Sequence, residues 1–267
     1  MAFSLLDNPL ILSLAFYPRT AEPGDGPRGG MPGVHDGSIP VDGAALGYRL
    51  YAHTPGAPLV VYFHGNAEIA PDYDHIAPYF QHAANASLLV VDYRGFGWST
   101  GSPTFAALVD DCAPIVAALP GILTGAGLPP ESALFVMGRS MGSAPALHIA
   151  HTFPERIQGV IIESGFADLF SVLVRLGLPA AAFGSLIDPL GNERKARELR
   201  LPLLVIHGEQ DTLIPVQHGQ RLYDAAPSAR KELLRIPGAG HNDLLSVAPD
   251  AYFRAIAAFL RDPAPGV

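Results

Sequence analysis

Gly138-Arg139-Ser140-Met141-Gly142 is the stretch on which the reading of this chain turns. It follows an apolar run, Ala133 to Met137, that predicts a strand, and it precedes Ser143 to His151, whose spaced apolar residues predict a helix. A serine held between two glycines at a strand-to-helix turn is the setting of the G-x-S-x-G elbow. So sharp a turn strains the serine backbone, and a side chain at either flanking position would collide with the neighbouring element. The helix that follows points free N–H groups and its positive dipole end toward the serine, where developing negative charge is favoured. Without that context the pattern is a common turn. With it, Ser140 is a candidate nucleophile.

Outward from the elbow, compact apolar runs at Leu59 to Phe63, Ser87 to Val91, Gly159 to Ile162 and Leu203 to Ile206 read as strands buried on both faces. Longer amphipathic stretches at Asp72 to His82, Phe105 to Leu119, Gln217 to Ala225 and Ala251 to Leu260 read as crossover helices. From Gly43 onward this alternation predicts one α/β domain around a mostly parallel sheet. The domain spans residues 34–267, preceded at 1–33 by an apolar segment and a Pro/Gly-rich connector from Thr20 to Gly33. Every chemically suggestive motif lies just after a strand, where the loops of an open α/β sheet converge on one crevice.

A neutral serine attacks poorly unless a base takes its proton and a third group fixes that base. His207-Gly208-Glu209-Gln210-Asp211 follows the strand Leu203 to Ile206, and Gly238-Ala239-Gly240-His241 follows a further strand, Glu232 to Ile236. Asp211 and His241 therefore sit in strand-end loops, in the chain order Ser, Asp, His. Singly, each has an ordinary alternative, a capping carboxylate or a surface histidine. His207, ending a strand, reads as structural. A tetrahedral intermediate also needs two N–H donors. The Met141 backbone supplies one, and His64-Gly65-Asn66-Ala67 supplies the other through Asn66, with Ala67 as second choice. His64 reads as a loop brace rather than a proton carrier.

These motifs, together with Asp92-Tyr93-Arg94-Gly95-Phe96-Gly97-Trp98-Ser99, resemble the α/β-hydrolases from about Tyr48 to Leu260. The combination is most similar to the small, lid-poor abhydrolase-domain group that includes protein depalmitoylases. The resemblance implies an α/β-hydrolase fold, a mostly parallel sheet flanked by helices, and a Ser-His-Asp serine hydrolase acting on a carboxylic ester or thioester without cofactor or metal. It also implies that Asp92 and Arg94 tie loops together, and it permits an acid after Gly159 to Ile162, where Glu163 and Asp168 compete with Asp211 for that role. A peptidase or amidase on the same residues, and a non-catalytic ligand-binding protein of this fold, are the alternatives.

Only residues 164–200 are available for a lid, with helix-like runs at Leu169 to Leu178 and Ala180 to Ile187. Phe166, Phe170, Leu173, Phe183, Leu186 and Ile187 are its candidate acyl-pocket residues, core packing being the plain alternative. The charged run Glu193 to Arg200 reads as a solvated helix face.

Composition bounds the rest. In 267 residues, 49% are hydrophobic and 16% charged, enough to bury a sizeable core. A net charge of -8 offers no footprint for nucleic acid or an anionic membrane. Cys112, without a partner, reads as a small buried hydrophobe and accords with a cytoplasmic location. The segment Phe3 to Phe16 is interrupted by Asp7 and Pro9 and is too short for a spanning helix, so it is expected to dock on the domain rather than on a membrane or partner. The oligomeric state stays open.

Overall fold

The computed structural model describes residues 3, 6–184 and 186–261. Leu5 of the apolar segment, Ser185 of the lid region and the tail 262–267 lie outside the described residues. In chain order the elements are α1 (Pro9–Ala15), β1 (Val34–Val41), β2 (Ala44–Tyr51), β3 (Leu59–Phe63), α2 (Ala77–His82), β4 (Ser87–Val91), α3 (Ala107–Asp110), α4 (Cys112–Gly125), β5 (Leu134–Arg139) and α5 (Ser143–Thr152). They continue with β6 (Gly159–Glu163), α6 (Leu169–Arg175), α7 (Asn192–Glu198), β7 (Leu203–Gly208), α8 (Val216–Ala225), β8 (Lys231–Ile236), α9 (Leu244–Val247) and α10 (Pro249–Arg261).

The eight strands form one sheet in the order β1-β2-β4-β3-β5-β6-β7-β8. β1, β2 and β4 pair antiparallel, and every pairing from β4 to β8 is parallel. All five residues of β3 and of β4 are buried, because helices cover both faces. Alternate residues supply the two cores: Leu59, Val61 and Phe63 join α1, α4 and α5 on one face, while Val60 and Tyr62 join Phe80 of α2 and Phe259 of α10 on the other.

The strands expected from the sequence are present, three of them extended to Arg139, Glu163 and Gly208. The β1–β2 hairpin is a correction to the reading that began at Gly43. β1 carries Asp36, Gly37 and Pro40, which hide its β character, and it survives as an edge strand. Arg49 of β2 donates to Asp36 at 2.7 and 2.6 Å and to Asp74 at 3.0 Å, so a buried ion pair ties the hairpin to the body.

Two expected helices are broken by prolines. Asp72 to His82 is a 3-10 turn (Ala70–His75) followed by α2, and Pro78 lacks the N–H that would continue the ladder. Phe105 to Leu119 divides at Asp111, where Pro114 removes the same donor, before α4 runs on to Gly125. The run from Glu193 is not a wholly solvated face. Asn192, Lys195 and Ala196 of α7 are buried where the helix packs on α5 and α8. In the lid region, the described residues before α7 form α6 and a short 3-10 turn (Ala180–Ala182).

Candidate active site

Ser140 has φ +52°, the strained conformation its turn demands. A Cβ on Gly138 would lie 2.1 Å from the Gly142 carbonyl oxygen, and one on Gly142 would lie 2.0 Å from the Phe63 carbonyl oxygen. Both glycines are therefore required by close backbone approach. Ser143 Oγ donates to the Ser140 carbonyl at 2.7 Å and fixes the turn from within α5.

The end of β8 brings His241 to this serine. Its Nε2 lies 3.0 Å from Ser140 Oγ, and its Nδ1 lies 2.7 Å from Asp211 Oδ2. These partners assign the tautomer: Nδ1–H donates to the carboxylate and Nε2 accepts a hydrogen bond from the Ser140 hydroxyl. Asp211 Oδ1 accepts from the N–H groups of Leu213 (2.9 Å) and Ile214 (2.8 Å), which orients the carboxylate. Burial alone would raise the Asp211 pKa, but hydrogen bonds from His207, His241 and the Ile214 backbone hold it well below the usual carboxylate range. His207, read from the sequence as structural, donates through Nε2 to the Ile214 carbonyl at 2.8 Å and lies 3.4 Å from Asp211 Oδ2.

Glu163 and Asp168 are not brought to His241. Asp168 caps α6 by accepting from Ser171 N at 3.0 Å. Glu163 accepts from Arg139 Nε (3.2 Å) and from the hydroxyls of Tyr62 (3.2 Å) and Tyr252 (2.6 Å).

The Asn66 side chain is anchored by the first helix. Nδ2 donates to the Ala15 carbonyl at 2.8 Å, and Oδ1 accepts from Tyr17 N at 2.9 Å and Ala67 N at 3.1 Å. The Ala67 N–H, the second-choice donor, is thereby engaged. His64 Nδ1 donates to the Gly65 carbonyl at 2.7 Å, and its Nε2 lies 3.1 Å from Asp92. Asp92 also accepts from Ala70 N at 2.8 Å, and Arg94 pairs with Asp111 at 2.8 and 2.5 Å. Both act between loops.

Beside Ser140 lies a pocket of about 90 Å³, lined by Ala15, Asn66, Met141, Phe166, Leu173 and Leu213 among others. Of the six residues expected to line an acyl pocket, Phe166 and Leu173 line this one. Phe170 stacks on Phe183 at 4.6 Å, and Leu186 and Ile187 are exposed. Leu6, Ala15 and Phe16 of the first segment are buried in the core, and Ala15 forms part of the pocket wall.

Sequence reasoning missed the polar cluster behind the His241 loop. Glu68, Arg139 and Glu163 meet there with Tyr62, Tyr73 and Tyr252, around a cleft of about 370 Å³. Burial raises all three tyrosine pKa values. The same burial opposes ionisation of Glu68, but Arg139 and the Tyr73 hydroxyl outweigh it and lower its pKa. The variable position of a five-residue motif carries no signal for such a role.

Fold and site together define an α/β-hydrolase. The chain belongs to the family described as serine aminopeptidase, S33, whose model matches residues 55–183 and 191–245. It is 29% identical over 211 residues to protein bem46 of Schizosaccharomyces pombe, covering 77% of this chain and 68% of that protein. It is 31% identical over 206 residues to alpha/beta hydrolase domain-containing protein 17C of Xenopus tropicalis, covering 76% of this chain and 62% of that protein. The chain thus spans less than two-thirds of this second relative. Among solved structures, the esterase Pf2001 of Pyrococcus furiosus superposes with a TM-score of 0.72 at 20% identity, over 91% of this chain and 98% of that one.

Proposed function

We propose that this hydrolase cleaves a carboxylic ester or thioester through an acyl-enzyme on Ser140. The observation that carries the reading is the unbroken run from Ser140 Oγ to His241 (3.0 Å) to Asp211 (2.7 Å), at the mouth of an apolar pocket. Ser140 Oγ attacks the acyl carbon while its proton passes to His241 Nε2. The tetrahedral oxyanion is held by the backbone N–H groups of Met141 and Asn66. His241 then returns the proton to the departing alcohol or thiol, and a water, deprotonated by His241, releases the acid. Asp211 keeps Nε2 free to accept and stabilises the imidazolium.

The family's description raises a second reading, an aminopeptidase. That chemistry needs a carboxylate beside Ser140 to receive a substrate ammonium. The pocket residues at Ser140 are apolar or amide, and Glu68 and Glu163 are both bonded to Arg139, which favours the ester reading. The small pocket and short lid region favour short to medium acyl chains over long ones.

The test is fluorophosphonate labelling together with a series of acyl esters and acyl thioesters of increasing length. Wild type is expected to label rapidly and turn over acyl substrates. Ser140→Ala is expected to abolish labelling and to lower kcat on the order of 10³-fold to 10⁶-fold while folding normally. A variant retaining a tenth of wild-type turnover refutes the nucleophile. Turnover of aminoacyl amides in preference to esters establishes the second reading.

A further inference from the structure

Arg139 occupies the variable position of the elbow, next to Ser140, and its side chain runs into the polar cluster rather than toward the serine. Only 11% of that side chain is exposed. Its Nε donates to Glu163 Oε1 at 3.2 Å, at the end of β6. Its Nη1 donates to Glu68 Oε1. Its Nη2 donates to the His241 carbonyl at 3.1 Å and to Asn242 Oδ1 at 2.7 Å. One guanidinium therefore bonds three separate strand-end segments.

Two of those segments carry functional groups. The His241 loop is irregular backbone between β8 and α9, and a bond to the His241 carbonyl restrains the residue whose ring must lie between Ser140 and Asp211. On the other side, Glu68 Oε2 accepts from Gly65 N at 2.7 Å and from the Tyr73 hydroxyl at 2.7 Å, closing the turn that presents Asn66. A Cβ on Gly65 would lie 2.5 Å from Arg139 Nη1, so glycine there lets the turn pack onto the guanidinium. Glu163 is itself immobilised by two tyrosine hydroxyls and serves as the fixed anchor.

We infer that Arg139 is a positioning residue that sets the His241 loop and the Asn66 turn in one frame with the nucleophile beside it. This rests on the acyl-enzyme reading above. The planar fork is what the role requires: five N–H donors in fixed directions reach three loops, whereas an ammonium on a flexible stem supplies the charge without the geometry. Arg139 touches neither the serine hydroxyl nor the imidazole, so its effect falls on the alignment of reacting groups and not on substrate affinity.

Arg139→Lys keeps the buried cation between Glu68 and Glu163. Asn242→Ala removes only one bond, at an exposed position. For an ester substrate, kcat is expected to fall on the order of 10-fold to 10²-fold in Arg139→Lys and about 3-fold in Asn242→Ala, with KM within about twofold of wild type, since small misalignments act on kcat. Fluorophosphonate labelling should slow in step with kcat. If Arg139→Lys fails to fold, Asn242→Ala decides alone. A folded Arg139→Lys with wild-type kcat, a loss confined to KM, or an unslowed Asn242→Ala overturns the inference while leaving the acyl-enzyme reading intact. A wild type that does not label at all refutes that reading and this inference with it.

Discussion

Two clefts adjoin the elbow, and they are built from opposite materials. The one behind the His241 loop is walled by Tyr62, Glu68, Tyr73, Arg139, Glu163 and Tyr252, with its charges paired and its hydroxyls bonded to carboxylates. The one at Ser140 is walled by Phe105, Leu108, Phe166, Leu169, Leu173 and Leu176, with Asn66 at its edge. Buried polar networks hold one geometry only when every member is satisfied, and apolar walls accept any side chain of fitting shape. The polar side thus suits the fixing of groups, and the apolar side suits the fitting of a substrate. Substitutions on the two sides should separate accordingly, the first changing rate and the second changing preference.

The sharpest test of the polar side is a pair of carboxylates at neighbouring strand ends. Asp211 follows β7 and meets His241; Glu163 ends β6 and meets Arg139. Asp211→Asn is expected to lower kcat on the order of 10²-fold to 10⁴-fold, since an amide favours the wrong imidazole tautomer and cannot stabilise imidazolium. Glu163→Gln should cost less than about 10-fold and act through Arg139. If the order of the two effects reverses, the acid has been misassigned.

How far this pair was legible in the sequence divides along the same line. Strand-end position and chain order marked Asp211 and His241, because a βα alternation fixes where loops converge. Glu163 was marked by the family resemblance, which permits an acid at that strand end, and it joins the polar cluster instead, because sequence order does not say which way a side chain leaves a strand end. Arg139 and Glu68 were invisible, since their partners lie 24 and 71 residues from Arg139 along the chain. The β1–β2 hairpin was hidden by Gly37 and Pro40, and the burial of Lys195 by a run of charges that resembled a solvated helix.

On the apolar side, Val172 of α6 lines the pocket and is only partly buried, so it tolerates a larger residue without disturbing the core. Val172→Phe is expected to shift preference toward shorter chains, lowering kcat/KM for an octanoyl ester about 10-fold while changing an acetyl ester less than about twofold, the scale on which apolar pockets discriminate methylenes. Equal losses on both esters would mean that the acyl chain does not enter this pocket.

The smallest effect concerns a place where the contrast fails. Where α7 packs on α5 and α8, Lys195 is buried, and no hydrogen bond or ion pair to its ammonium is found among the described residues. Burial lowers its pKa to about 8, with Cys112 and Asp188 offsetting only part of the cost and Arg194 adding to it. The unfolded chain, with an ordinary lysine near pKa ~10.4, therefore binds this proton more tightly than the folded one between those two values. Below pH 8 the folding penalty is fully present, and it is relieved as pH rises from about 8 toward ~10.4, so this group makes stability increase with pH across that window. Lys195→Met keeps the packed stem and removes the charge. It is expected to stabilise the protein by about 1–2 kcal/mol at pH 7, a rise of roughly 2–8 °C in Tm for a domain of this size, and to flatten the alkaline increase. Thermal unfolding of both proteins from pH 6 to pH 10 measures this. A methionine variant that melts lower than wild type at pH 7, or keeps the same alkaline slope, would show that the ammonium is favourably held in the folded state.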